Sequence, residues 1–266
     1  MNTFRSNAAQ ASPEAAVGRI ITSAVSELAE ARAAALDIWR QLSPEHAACV
    51  VFFSSSDYDL GELADALGEF FGAVPVVGCT TAGEISDRGF TRNSIAAFAL
   101  PASHFAVEAL LLNNLAAFSA AQAHDAVRGR LRQLAAKTLA PIEGHSFVLS
   151  LLDGMSIREE LVLQAINEAL GGIPLLGGSA GDNLHFRDTY IYCNGHFHEN
   201  SAVLILVNTL CPFQVVSSHH LEGTDGKLVV TDADPLHRLA REFNAEPAAL
   251  EYCRVMGLTL AELNAS

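Results

Sequence analysis

The chain has 266 residues, half of them apolar, with 16 Lys+Arg against 30 Asp+Glu and a net charge of −14. A charged fraction of 17% beside that apolar content excludes disorder over most of the length, and an acidic balance with no basic cluster excludes nonspecific nucleic-acid binding and attraction to an acidic membrane surface. No apolar run approaches the ~20 residues of a membrane span, the N-terminus lacks a signal-peptide core, and five scattered cysteines with no CxxC pair describe a cytoplasmic protein with reduced thiols.

Residues 1–12 are small and polar and read as disordered. Residues 13–42 read as an N-terminal helix. Ser12 suits the N-cap and Pro13 the first helical position, and Val17, Ile20, Ile21, Ala24, Val25 and Leu28 recur at helical spacing. Ser43-Pro44 ends that pattern. Cys49–Phe53 is a short, β-rich apolar run and reads as a buried strand. The helix Leu60–Phe71 follows, closed by Gly72, and then Val74-Pro-Val-Val77 leads into Gly78-Cys-Thr-Thr-Ala-Gly-Glu84. Ser94–Leu100 is a further apolar strand.

The same order returns about a hundred residues later. Ser146–Leu152 reads as a strand, Arg158–Leu170 as a helix closed by Gly171-Gly172, and Ile173-Pro-Leu-Leu176 leads into Gly177-Gly-Ser-Ala-Gly-Asp182. An Asn194-Gly195 hairpin turn and the strand Ser201–Val207 complete the set. VPVVGCTTAGE aligns with IPLLGGSAGD with one residue deleted, which points to an internal duplication. The expected fold is α/β: a duplicated strand–helix–strand module with mixed sheets over residues 43–218, in halves of about 47–110 and 144–208. A partial α+β segment at 219–266 follows, with short strands at Phe213–Ser217 and Lys227–Thr231 and helices at His237–Phe243 and Pro247–Gly257.

The glycine strings are the first candidates for a site. Gly78, Thr80 and Gly83 in one half, and Gly177, Gly178, Ser179, Gly181 and Asp182 in the other, follow extended segments. Glycine there permits close backbone approach to a ligand, and successive N–H groups can form an anion nest. Gly177–Gly181 also matches GxSxG, so a serine hydrolase using Ser179 is an alternative, with a later histidine such as His219, His220 or His237 as base. His196 and His198 share a strand face and can meet one metal, or simply decorate a hairpin. Asp57 and Asp153 sit after strands; capping suits Asp57, and Asp153 is open between capping and recognition of an amine or hydroxyl. Cys79 and Cys193 are redox candidates.

The strand Val50–Ser54, the helix Leu60–Phe71 and the strings Val76–Glu84 and Leu175–Asp182 together resemble the N-terminal module of the FIST family, F-box and intracellular signal transduction proteins, over roughly residues 35–218. Residues 219–266 resemble the opening of the family's C-terminal module, which implies a truncated or shortened chain. The resemblance implies a bacterial, non-enzymatic sensor that binds a small ligand and signals to a separate protein. One branch resembles nitric-oxide sensors that hold a non-covalent b-type haem and regulate histidine kinases or cyclic-di-GMP enzymes; for that version His220 is the first axial-ligand candidate and His185 the second. The other version senses small molecules such as amino acids, contacted by the glycine loops and Asp182. A ligand-free protein-interaction module is a further alternative.

Overall fold

The computed structural model describes residues 20–86, 89–183, 185, 187–216, 226–235 and 237–265. The first half runs β1 (Thr22–Ser26), α1 (Ala31–Leu42), β2 (Ala47–Ser55), α2 (Leu60–Phe71), β3 (Val76–Thr81), the short hairpin β4 (Glu84–Ser86) and β5 (Gly89–Thr91), and β6 (Ile95–Pro101). The second runs β7 (Phe105–Leu112), α3 (Ala120–Ala136), β8 (Ser146–Leu152), α4 (Glu159–Leu170), β9 (Leu175–Ser179), the hairpin β10 (Ile191–Cys193) and β11 (His196–His198), and β12 (Ala202–Thr209). A tail adds β13 (Val230–Asp234), β14 (Leu239–Phe243), β15 (Glu246–Pro247), α5 (Ala248–Met256) and α6 (Leu260–Ala265).

The duplication is visible strand by strand. One sheet is ordered β1-β6-β2-β3-β10-β11, its last two strands being the hairpin lent by the second half, and the other β7-β12-β8-β9; the shared cores β1-β6-β2-β3 and β7-β12-β8-β9 each have one parallel pair, β2 with β3 and β8 with β9. Individual hydrogen bonds repeat as well. Val50 N donates to Pro75 O and Val148 N to Pro174 O, both at 2.8 Å, and Ser55 N donates to Ser94 O at 3.0 Å as Asp153 N does to Ser201 O at 2.9 Å. The repeat therefore begins at β1 and β7, earlier than the shared glycine string alone indicates.

The two sheets stack face to face with helices outside, giving four layers. Strand alternation sends Val50 and Phe52 of β2 to α1 and α2, while Cys49 and Val51 meet Val203 and Ile205 of the other sheet. A third cluster packs Leu204 and Leu206 of β12 against Val162 and Ile166 of α4. Every residue of β12 is buried, which is why both halves carry continuous apolar strands and so few charges.

Several expectations are corrected. The helix expected over 13–42 is present only as α1 (Ala31–Leu42), and strand β1 occupies Thr22–Ser26 ahead of it. Ile20, Ile21, Thr22 and Val25 are β-branched and pair poorly with a helix, and β1 gains the ladder Thr22↔Ala99 to Ser26↔Ile95 against β6; Ser12, Pro13 and Val17 lie outside the described residues. His237–Phe243 is not a helix. Arg238 has φ 51°, and Asn244 and Ala245, at φ 53° and 64°, make the two-residue turn that joins β14 to β15. Residues 213–216 are irregular, and the strand expected at Lys227–Thr231 starts at Val230. Asp59, not Asp57, caps α2, accepting from Glu62 N at 3.0 Å. Among the described residues no helix is long and apolar enough to cross a membrane.

Candidate functional site

The two glycine strings meet. Gly181 N donates to Thr80 O at 2.9 Å, and a side chain at Gly181 would stand 2.9 Å from Ala82 N, so only glycine lets the second half's loop lie across Thr81-Ala82. Thr80 is fully buried between the halves: its N–H donates to Tyr190 O and its hydroxyl accepts from Tyr190 N, each at 3.0 Å. The buried Asp182 carboxylate accepts from Arg187 N at 2.6 Å and Asp188 N at 3.2 Å, which shapes its own loop.

Beside that junction lies a cavity of about 210 Å³ lined by Asp57, Ala82, Arg92, Asn93 and Asn183. A second, of about 220 Å³, shares Asp57 and Asn93 and adds Ala29, Ser55 and Tyr58. Both sit at the ends of β2 and β3 of the first half, with Asn183 arriving from the second half and its amide donating to Ser55 Oγ at 2.9 Å. The wall carries one carboxylate and one guanidinium. Arg92 is placed by a short chain of contacts. Gly83, at φ 138°, leaves room for the Phe90 ring, whose Cζ would be 2.3 Å from a Cβ there, and the Arg92 guanidinium stands 5.8 Å from the centre of that ring. Asn93 takes φ 51°, a left-handed conformation that asparagine tolerates well.

Glu84 lies behind the site, 1% exposed, accepting from Thr81 Oγ1 at 2.6 Å and Ser94 Oγ at 2.5 Å. Burial pushes its pKa up, partly opposed by those two hydroxyl donors.

The family model of the FIST N domain matches residues 47–246. The chain belongs to the FIST family. No curated protein matches it. The FIST domain is a sensor-type domain of signal transduction, and its two glycine strings have different structural roles in this chain. Gly78 and Gly177 are packing positions: a Cβ would lie 2.4 Å from Phe52 O at the first and 1.9 Å from Ser150 O at the second. Gly178 has open space around it. Ser179 is a strand residue whose hydroxyl donates to the Glu159 carboxylate at 2.7 Å, and the described residues that follow it, 180–183, 185 and 187–190, are not helical, unlike the strand–turn–helix of a nucleophile elbow.

His185 is exposed, its backbone N–H donating to Asp182 O at 3.0 Å, and His219 and His220 lie outside the described residues. No histidine lines either cavity at the junction or the larger ones of about 400 and 530 Å³ elsewhere. Of the two axial-ligand candidates only His185 is among the described residues, and it lines none of these four cavities. His196 and His198 lie on the β10–β11 hairpin with ring centres 6.4 Å apart, and among the described residues no cluster of three metal-ligating side chains forms. Burial pushes the Cys79 thiol up to about 12 and raises that of Cys193, so neither is a ready thiolate.

Asp57 is the residue of this site that the loop carboxylates of the sequence already mark. Ser55, Arg92, Asn93 and Asn183 carry no local motif. Their trace is in the repeat: Asn93-Ser94 and Asn200-Ser201 precede equivalent strands, and Asn93 and Asn200 share left-handed φ of 51° and 47°.

Proposed function

We propose that this FIST module is a non-enzymatic cytoplasmic sensor of a small zwitterion of amino-acid type. The carrying observation is the cavity that has Asp57 and Arg92 on its wall together with the amides of Asn93 and Asn183. An α-ammonium suits Asp57 and an α-carboxylate suits the planar fork of Arg92. The cavity's ~210 Å³ accommodates a small amino acid. Asn183 already joins the second half to Ser55 of the first, so a ligand touching Asn183 and Arg92 has different contacts when the halves shift. That differential affinity is what a sensor needs to move a population. The output goes to a separate protein, of the histidine kinase or cyclic-di-GMP enzyme kind that the family resemblance implies.

The test is a thermal-shift and calorimetry panel of the twenty L-amino acids. At least one should stabilise the protein, by about 2.7 kcal/mol at a hundredfold excess over Kd. Asp57→Asn and Arg92→Ala should each weaken that binding at least tenfold. A panel with no binder, or binding indifferent to both substitutions, would sink the reading.

A further inference from the structure

Ser55 is buried at the end of β2 and borders the cavity of about 220 Å³. A hydroxyl has two acceptor lone pairs and one proton. Both lone pairs are engaged, since Asp57 N donates to Ser55 Oγ at 3.1 Å and the Asn183 amide donates at 2.9 Å. The proton has no acceptor among the described residues, and a buried donor left unmade costs stability. The equivalent Asp153 takes Met155 N at 2.9 Å as Ser55 takes Asp57 N, but an ionised carboxylate has no proton to give. The open donor therefore belongs to the first half alone.

A second group on this wall is uncommitted. Asn93 borders both cavities, and its side-chain amide has no protein partner among the described residues. Tyr58 is committed, its single proton held by Leu28 O at 2.8 Å and Asn93 O at 3.2 Å. No cation borders the second cavity, whereas the Asp57 carboxylate borders both. Singly, cavities of about 210 and 220 Å³ are smaller than the ~300–1,000 Å³ usual for a ligand site; together, sharing Asp57 and Asn93, they fall within it.

We propose that the second cavity is the side-chain subsite of the amino-acid site and selects a carboxamide, that of glutamine or asparagine. The inference rests on the zwitterion reading for the head group. Ser55 Oγ donates its proton to the side-chain carbonyl, and the Asn93 amide oxygen accepts from the side-chain NH₂. A carboxylate side chain is repelled by Asp57. An ammonium or guanidinium offers Ser55 no acceptor, and an apolar side chain leaves the buried O–H unmade. A serine or threonine hydroxyl supplies one partner where Ser55 and Asn93 call for two.

Calorimetry on the full chain tests this with glutamine and asparagine, their acids glutamate and aspartate, and methionine and leucine as apolar side chains of similar length and shape. Glutamine or asparagine should bind about tenfold tighter or more than both the acids and the apolar pair. Ser55→Ala should bring the preference over the apolar pair to within about threefold; a purely structural loss would weaken every ligand alike and leave that ratio standing, which overturns the proposal. Ala29→Leu, which fills the subsite from the β1–α1 connection, should weaken carboxamide binding about tenfold. That variant keeps the test open if Ser55→Ala does not fold, and unchanged carboxamide binding in folded Ala29→Leu also overturns the proposal. Binding of other amino acids through Asp57 and Arg92 with no carboxamide preference overturns it while the zwitterion reading stands. No binding by any amino acid overturns both.

Discussion

The two halves of this FIST module share one topology and finish it in opposite ways. The first half has a covered sheet edge and an open loop end; the second has an open edge and a closed loop end. The loop ends differ through one pair of equivalent residues. Ser55 and Asp153 both donate their backbone N–H to the serine that opens the last strand, Ser94 or Ser201. The short Ser55 side chain accepts from Asp57 N and the Asn183 amide and leaves cavities beside it. The longer Asp153 carboxylate is filled by donors: Met155 N at 2.9 Å, Asn200 N at 2.5 Å and the Thr189 hydroxyl. Ala180 O then sits where a Cβ on Gly154 would be 2.1 Å away, closing the second half's end. The duplication keeps the frame, and at the loop ends Ser55 stands beside a cavity where Asp153 is filled by donors.

The largest effect should come from the frame that both halves share. Gly78→Ala and Gly177→Ala each force a Cβ against a backbone carbonyl, and urea denaturation should show a loss of about 3 kcal/mol for either. Equal losses support the equivalence of the halves; a neutral Gly177→Ala would break it. Next is the difference between plug and pocket. Asp153→Ala strands buried donors and should cost about 2–3 kcal/mol, whereas Ser55→Ala, beside a cavity that water can enter, should cost about 1 kcal/mol. The reverse order would contradict the assignment of closed and open ends.

A smaller effect concerns Glu84. Its pKa is raised by burial, so the fold favours the protonated carboxyl. Its contribution is full below the ordinary carboxylate value of 4.5 and declines as pH rises through the raised one. Stability of the wild type should therefore fall relative to Glu84→Gln across that window in pH-dependent denaturation, and parallel curves would refute the shift. Smallest is a labelling result: with Cys49, Cys79, Cys193 and Cys253 buried and Cys211 half-buried, a thiol reagent should modify Cys211 first in the native protein, as peptide mapping would show.

Much of the frame was legible because burial on both faces writes itself as apolar runs. Strand β8 and helix α2 are bounded in the sequence as they are in the structure, since turn residues and Gly72 mark their ends. Strand β1 was not legible, because Ile20, Ile21 and Val25 satisfy helical spacing and strand chemistry alike, and only pairing with β6 decides. Strand β7 is rich in Ala and Leu, which favour a helix, so its local sequence does not announce a strand and pairing with β12 decides it. The glycine strings suggest ligand contacts in the sequence; in the structure Gly181 lies against Thr80–Ala82, Gly78 and Gly177 answer to neighbouring backbone, and the cavity wall comes from Asp57, Arg92 and Asn183, brought together by tertiary structure from separate loops.

The central claim is that the open loop end of the first half holds the ligand. Amide chemical-shift mapping with the amino-acid panel tests it most directly. The account predicts shifts concentrated at Asp57, Ala82, Asn93 and Asn183, with Asp153 and Asn200 unmoved. Shifts centred on the second half's loop end, or none with any amino acid, would contradict it.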